Sequence, residues 1–494
     1  MRTRYVWFVL ALVVANGAVA YFLATGSLRR ATAITLAPIM VICLAALVAS
    51  DRSVLLYGAL ALPLTFSYAN EAVAFGSMNV FAADILLALA LGSWLAAKLL
   101  AGRPSALADL RRKRVIGVVP LVAFAIAVSF AVVRGHIEYG QTLAGQPIRL
   151  IAYVCIACAI VDVTVEKAHR GITAVLYAAV GWQVLVAGYH IATGTSQSDV
   201  ASLSTGGHRY VSVSVSLCIA LALFLALLNL ASARTARAQL VHATAAVFSL
   251  VLAILSFTRG TMIAVALVGL VFMLVVPGLT RRVAALLPLA LPIIAIILIT
   301  APRLAPTGVP DELRDTLISR LDPSLANDLS VRWRQEATAA LWEQFREEPV
   351  LGVGFGKKLV FEVAGVVYRE DQEAHNDAMY ILAATGVVGL AAIAAVVGSL
   401  MWFALARLRT AATTPERILV TWSIAGAFTF VANSLVEPLV GIPSLLLVLW
   451  VLLLIPVAIP GSTSVAAEPS TSPGRLPRSL RLESRRLPQV ADSR

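Results

Sequence analysis

The chain has 494 residues, 59% of them hydrophobic and only 13% charged. Soluble domains carry roughly twice that share of charge, so a soluble enzyme is excluded. The formal net charge of +12 does not indicate nucleic acid either, because the basic residues gather in short loops between apolar runs, as orientation across a membrane requires.

Apolar runs of about 20 residues recur from end to end, each long enough to cross a bilayer core as a helix. They lack the alternation of barrel strands, and only helices or closed barrels satisfy the backbone in lipid. The expected fold is an all-α polytopic membrane protein. It has about 12–14 transmembrane helices and one large extracytoplasmic loop containing short helices.

In chain order, the basic "MRTR" leads into predicted spans at 5–25, 31–50, 54–69 and 79–101. "AVA" at 18–20 resembles a signal-peptidase site, but another apolar run follows at once and the first span is read as retained. The loop with Arg103, Arg111, Arg112, Lys113 and Arg114 is the clearest cytoplasmic marker. Span 115–133 returns outward to a short loop carrying Arg134, His136 and Glu138. Spans 147–165 and 172–193 flank Glu166, Lys167 and Arg170 on the inside. A polar outer loop, 194–209, ends at Arg209, and 210–230 goes in to Arg234 and Arg237.

Spans 241–257 and 261–277 form a hairpin whose outer turn is "TRG", which pins Arg259 at the outer mouth. Span 283–301 goes out, and 377–406, 418–436 and 441–459 complete the bundle. Both termini fall inside, while Arg29 and Arg30 stand against the rule on the outside. The chain divides into a transmembrane bundle at 1–301, an extracytoplasmic loop at 302–375, C-terminal spans at 376–460 and a disordered basic cytoplasmic tail at 461–494.

The loop has its own pattern. "SVRWRQEATAALWEQFREEP" predicts an amphipathic helix, with Ser330 as N-cap and Pro349 as stop. Apolar positions including Val331, Trp333, Ala337, Leu341 and Phe345 recur three or four apart. "GVGFG" at 352–356 follows no strand and ends in no G-K-[ST], so it is neither a dinucleotide fingerprint nor a P-loop. It reads as a flexible turn.

Few residues can carry chemistry. His375 sits after the acidic Glu370, Asp371 and Glu373 and before a helix start at Asn376 and Asp377. The acidic neighbours favour imidazolium and the helix N-terminus disfavours it; a neutral ring there takes a proton from a hydroxyl. The bland alternative is an interfacial histidine with no task. Arg259 at an outer turn suits bidentate phosphate binding, against simple snorkelling. Arg209, Arg332 and Arg334 are further outer arginines. Glu71, Asp84 and Glu437 lie in or near spans, and Glu437, at an outer turn, either lines the site or is a hydrated interface residue. Cys155 and Cys158 form a C-x-x-C within an apolar run, where the spacing only places two small side chains on one helix face. There is no H-E-x-x-H and no zinc-type Cys/His set, so no metal site and no cofactor is predicted.

"SFTRG" at 256–260, the R-W…W…P-x-L-G-V-G-F-G pattern within 330–356 and "AHNDAMYILAATGVVGL" at 374–390 together resemble the O-antigen ligase and polymerase family of bacterial envelope glycan assembly. The resemblance covers about 210–390; upstream only the hydropathy layout agrees. It implies a GT-C type membrane glycosyltransferase in the cytoplasmic membrane that takes a glycan from undecaprenyl pyrophosphate, without a metal ion, on the outer face. His375 then corresponds to the family's loop histidine, proposed as base or acceptor-orienting group. Arg259 and Arg332 correspond to the arginines proposed to hold the pyrophosphate, with Arg209 a less secure match. The implied partners are the lipid-linked donor, a glycan or lipid acceptor, membrane lipids, and a flippase and chain-length regulator of the same pathway; nucleic acid is not among them. Polymerase is favoured over ligase.

Two other classes stay open on the residues alone. A transporter or flippase of lipid-linked glycans places its charged groups near the bilayer midplane and shows internal repeats. A receptor or assembly scaffold leaves His375 without a task.

Overall fold

The structure is a computed structural model that describes residues 51, 53–65, 73–75, 78–101, 118–140, 146–160, 163–193, 211–256, 258–275, 281, 329–370, 375–435, 437, 439 and 441–458. The helices are α1 (Ser53–Thr65), α2 (Ala82–Ala101), α3 (Val118–Tyr139), α4 (Gln146–Ile160), α5 (Val165–Thr193), α6 (Val213–Ser232), α7 (Ala236–Leu255), α8 (Arg259–Val275), α9 (Leu329–Glu347), α10 (Asp377–Thr410), α11 (Thr414–Ser434) and α12 (Pro443–Ala458). Two antiparallel hairpins complete them: β1 (Val73–Phe75) with β2 (Met78–Val80), and β3 (Leu359–Val363) with β4 (Val366–Glu370).

The chain is an all-α polytopic membrane protein. Among the described residues five helices are long and apolar enough to cross a membrane: the Pro120–Tyr139 part of α3, α5, the Ser214–Ser232 part of α6, α7 and α10. Every predicted span that falls on described residues is a helix. Spans 5–25, 31–50 and 283–301, the basic loop around Arg111, Glu71, Arg209, residues 302–328 and the 461–494 tail lie outside the described residues.

Several boundaries differ from the sequence reading. Arg134, His136 and Glu138 are not in a loop but on the last turns of α3. Glu166, Lys167 and Arg170 open α5 rather than lying between spans. Hydropathy places boundaries where charge begins, whereas helical hydrogen bonding continues past the lipid.

Polar contacts assign the helix termini to two ends of the bundle. At one end Lys167 pairs with Asp51 at 2.6 Å, His169 meets Asn229 at 2.7 Å, and Arg407 holds Glu416 at 2.9 Å. At the other, Arg149 grips Asp84 with two hydrogen bonds of 2.8 Å, and Ser216 Oγ meets Thr261 Oγ1 at 3.0 Å. Gln183, in the second half of α5, donates to Leu64 O at the end of α1. The starts of α2, α4, α6 and α8 therefore share one end, and α9 with the β3–β4 hairpin covers it through α10 and α3.

The described part of segment 302–375 begins with the expected helix. The predicted amphipathic helix is α9, which ends before Pro349 and begins at Leu329, two residues before the predicted first turn, so Ser330 lies inside it. Ala337 and Leu341 are fully buried against Leu359, Phe361, Val363 and Ala383. The sequence pattern does not predict the β3–β4 hairpin, because the alternation of buried and exposed residues along β3 spans only five residues.

The glycine segment is not a flexible turn. Helix α10 breaks at Gly386 (φ 66°, ψ −171°). The amides of Val387 and Val388, which would close helical bonds to residues 383 and 384, instead donate to Pro349 O (2.9 Å) and Val350 O (3.3 Å). The freed Ala383 and Ala384 carbonyls accept from Val353 N (2.9 Å) and Gly354 N (3.0 Å). The glycine segment thus inserts into the broken ladder and satisfies it, as non-helical backbone near lipid requires. On its far side Phe355 N donates to Ala131 O (3.1 Å) and Gly352 O accepts from Arg134 Nη1 (2.8 Å), which ties the segment to α3.

Candidate functional site

His375 stands immediately before α10. Its backbone takes φ 53°, a left-handed conformation uncommon outside glycine. Asn376 then caps the helix, its side chain accepting from Met379 N at 3.1 Å. The residue type at 376 explains why the helix begins there, and the left-handed residue before it turns the chain from the hairpin onto the bundle.

The imidazole is held on two sides. Its Nδ1 lies 3.4 Å from Oε2 of Glu437. Its ring packs against Trp333 of α9, centroids 5.3 Å apart at 80°. Trp333 meets Phe361 of β3 at 5.3 Å, and Phe361 stacks on Tyr368 of β4 at 5.5 Å. One aromatic row therefore runs from the histidine through α9 into the hairpin.

Glu437 is buried, with only 7% of its side chain exposed, and its second oxygen, Oε1, takes Arg334 Nη2 at 3.3 Å. The turn that carries it is fixed at both edges. Glu437 N continues the end of α11 by donating to Asn433 O at 2.8 Å. Leu439 N donates to the buried carboxylate of Asp377 at 2.8 Å. The head of α10, the end of α11 and the first turns of α9 thus meet around one carboxylate.

The sequence-predicted arginines fall as follows. Arg259 is the first residue of α8; the Ser216–Thr261 contact sets it at the bundle end that α9 and the hairpin cover. Arg332 is exposed on α9. Arg334, two positions on and so about 200° around the helix, reaches Glu437. Arg209 lies outside the described residues, as do Asp371 and Glu373. His375 and Arg334 are legible in the sequence, but a carboxylate partner for the arginines is not. Its signal is Glu437, an acidic residue at a turn between two apolar runs.

An imidazole beside a carboxylate can take up a hydroxyl proton near neutral pH, and arginines at the same face suit a phosphate-bearing ligand. Residues 244–394 match the O-Antigen ligase family. The match takes in Arg259, Arg332, Arg334 and His375 and ends before Glu437. No curated protein matches the chain.

Proposed function

We propose, from the match of residues 244–394 to the O-antigen ligase family, that the protein transfers a glycan from undecaprenyl pyrophosphate to an acceptor hydroxyl on the outer face of the bacterial cytoplasmic membrane. The single observation that supports this most is the convergence of His375, Trp333, Arg334 and Glu437 at the bundle end where α8 begins with Arg259.

In this reading the donor's pyrophosphate binds Arg259 and Arg332, with Arg209 contributing, and its polyprenyl tail lies along the apolar bundle. The acceptor hydroxyl approaches the anomeric carbon from the face opposite the pyrophosphate. As the new carbon–oxygen bond forms, the bond to pyrophosphate breaks and its electrons leave with the lipid carrier. The arginines neutralise the charge that grows there, and the hydroxyl proton passes to His375. A single displacement inverts the anomeric configuration, and no metal ion takes part. The acceptor is a second lipid-linked glycan, which makes the protein an envelope polysaccharide polymerase acting beside a flippase and a chain-length regulator.

Complementation of a deletion strain tests it. Variants His375→Ala, Arg259→Ala and Arg332→Ala that reach the membrane at wild-type level are expected to give no polymer; normal polymer from all three sinks the enzymatic reading. A flippase is the other outcome: membranes of the deletion strain supplied with donor on the outer side alone would then still make polymer.

A further inference from the structure

We propose that Glu437 is a positioning residue for His375: it fixes the imidazole as the Nδ1–H tautomer, presents Nε2 to the acceptor hydroxyl and holds Arg334 beside it. This rests on the reading of His375 as the proton acceptor.

Three observations carry it. The carboxylate is buried, and a buried charge is tolerated only when paired and hydrogen-bonded; here each oxygen faces its own partner, Arg334 at 3.3 Å and His375 at 3.4 Å. An ionised carboxylate only accepts hydrogen bonds, so the nitrogen facing it carries the proton, and in a neutral ring the other nitrogen is the acceptor. Finally, the turn is over-determined. Glu437 N is bonded to α11, and Leu439 N to Asp377, two residues after the histidine. Histidine and carboxylate are thereby referenced to the same few atoms at the head of α10, although 62 positions separate them.

The 3.4 Å separation is long for a hydrogen bond, as such contacts commonly are before substrate binds. Among the described residues, the charged groups at this point include Arg334 on α9, Asp377 on α10 and Glu437 after α11, and Glu437 stands at the ring nitrogen.

The test uses the full chain purified in detergent, with lipid-linked glycan extracted from a deletion strain as donor and acceptor, and rates normalised to folded protein. Glu437→Gln keeps the shape and removes the charge. Its kcat is expected to fall about 10- to 100-fold, the range that outer partners of an ordered histidine contribute, with KM for the lipid near wild type. Glu437→Asp should restore part of the rate. A Glu437→Gln enzyme with wild-type kcat overturns the proposal. So does one whose only defect is a lower unfolding temperature. Full transfer by His375→Ala would instead remove the base on which the proposal rests, so the two failures are separable.

Discussion

Gly352 and Gly386 each occupy the space where the other's side chain would stand. A Cβ on Gly352 would lie 2.5 Å from Gly386 N, and a Cβ on Gly386 would lie 2.7 Å from Gly352 N. Both take left-handed backbone, φ 74° and 66°. Gly386→Ala therefore costs roughly 1–2 kcal/mol for the dihedral alone, and the overlap with backbone adds to it. Thermal unfolding in detergent should show a clear fall. Gly398→Ala, on the same helix with nothing within 4 Å of the new Cβ, should be neutral or slightly stabilising. Equal effects at the two positions would contradict the interlocked break.

Arg134 reports on the same junction from the other side. Its guanidinium donates to Gly352 O at 2.8 Å and to Glu138 at 2.8 Å, and lies 3.6 Å from Glu348. Hydrogen bonds from a charged donor contribute about 1.5–3 kcal/mol. Arg134→Ala should loosen the 349–356 segment first, seen as faster proteolytic cleavage there while α5–α7 keep their protection. Cleavage at wild-type rate would show that the backbone bonds to α10 hold the segment by themselves.

At the opposite end Arg407 and Glu416 form a buried pair, with side chains 10% and 6% exposed. Arg407 also donates to Pro456 O, which joins α10, α11 and α12. Removing one partner of such a pair costs about 3–5 kcal/mol because the other charge is left buried. Glu416→Ala should lower the unfolding temperature markedly, yet leave kcat of the folded fraction unchanged, since the pair lies far from His375. A loss of kcat without a loss of stability would contradict that separation.

Asp51 gives a pH dependence. Burial pushes its carboxyl up, but hydrogen bonds from Lys167 and Ser53 outweigh that and hold it below its ordinary value. A carboxyl lowered in the folded state contributes stability above its unfolded pKa and loses it as pH falls through the folded one. Unfolding temperature should thus decline on the acid side, and Asp51→Asn should be less stable near neutral pH with a shallower acid decline. Parallel curves for the two proteins would show that the pair contributes nothing.

The bundle was legible because hydropathy alone decides whether a run can sit in lipid. The α9 helix was legible because its apolar positions repeat at the helical period and Pro349 ends it. Other features depend on contacts distant in sequence. "GVGFG" looks mobile until Gly386 breaks α10 and exposes the carbonyls that the segment needs. The β3–β4 hairpin is too short for its alternation to stand out within a polar segment. Glu437 was visible as an acidic residue at a turn between apolar runs, but its contact with His375 depends on how α10 and α11 pack. Arg334 was visible as an arginine of the loop, but its ion pair with Glu437 depends on the phase of α9 against the end of α11.

The central claim is that His375 accepts the acceptor's proton. Single-turnover transfer with the purified chain and lipid-linked glycan, comparing wild type with His375→Ala at equal donor occupancy, tests it most directly. The account predicts transfer by the wild type and a loss of about 10²- to 10⁴-fold in the variant, the usual contribution of a positioned general base, with donor binding retained. Transfer by His375→Ala at the wild-type rate would contradict it.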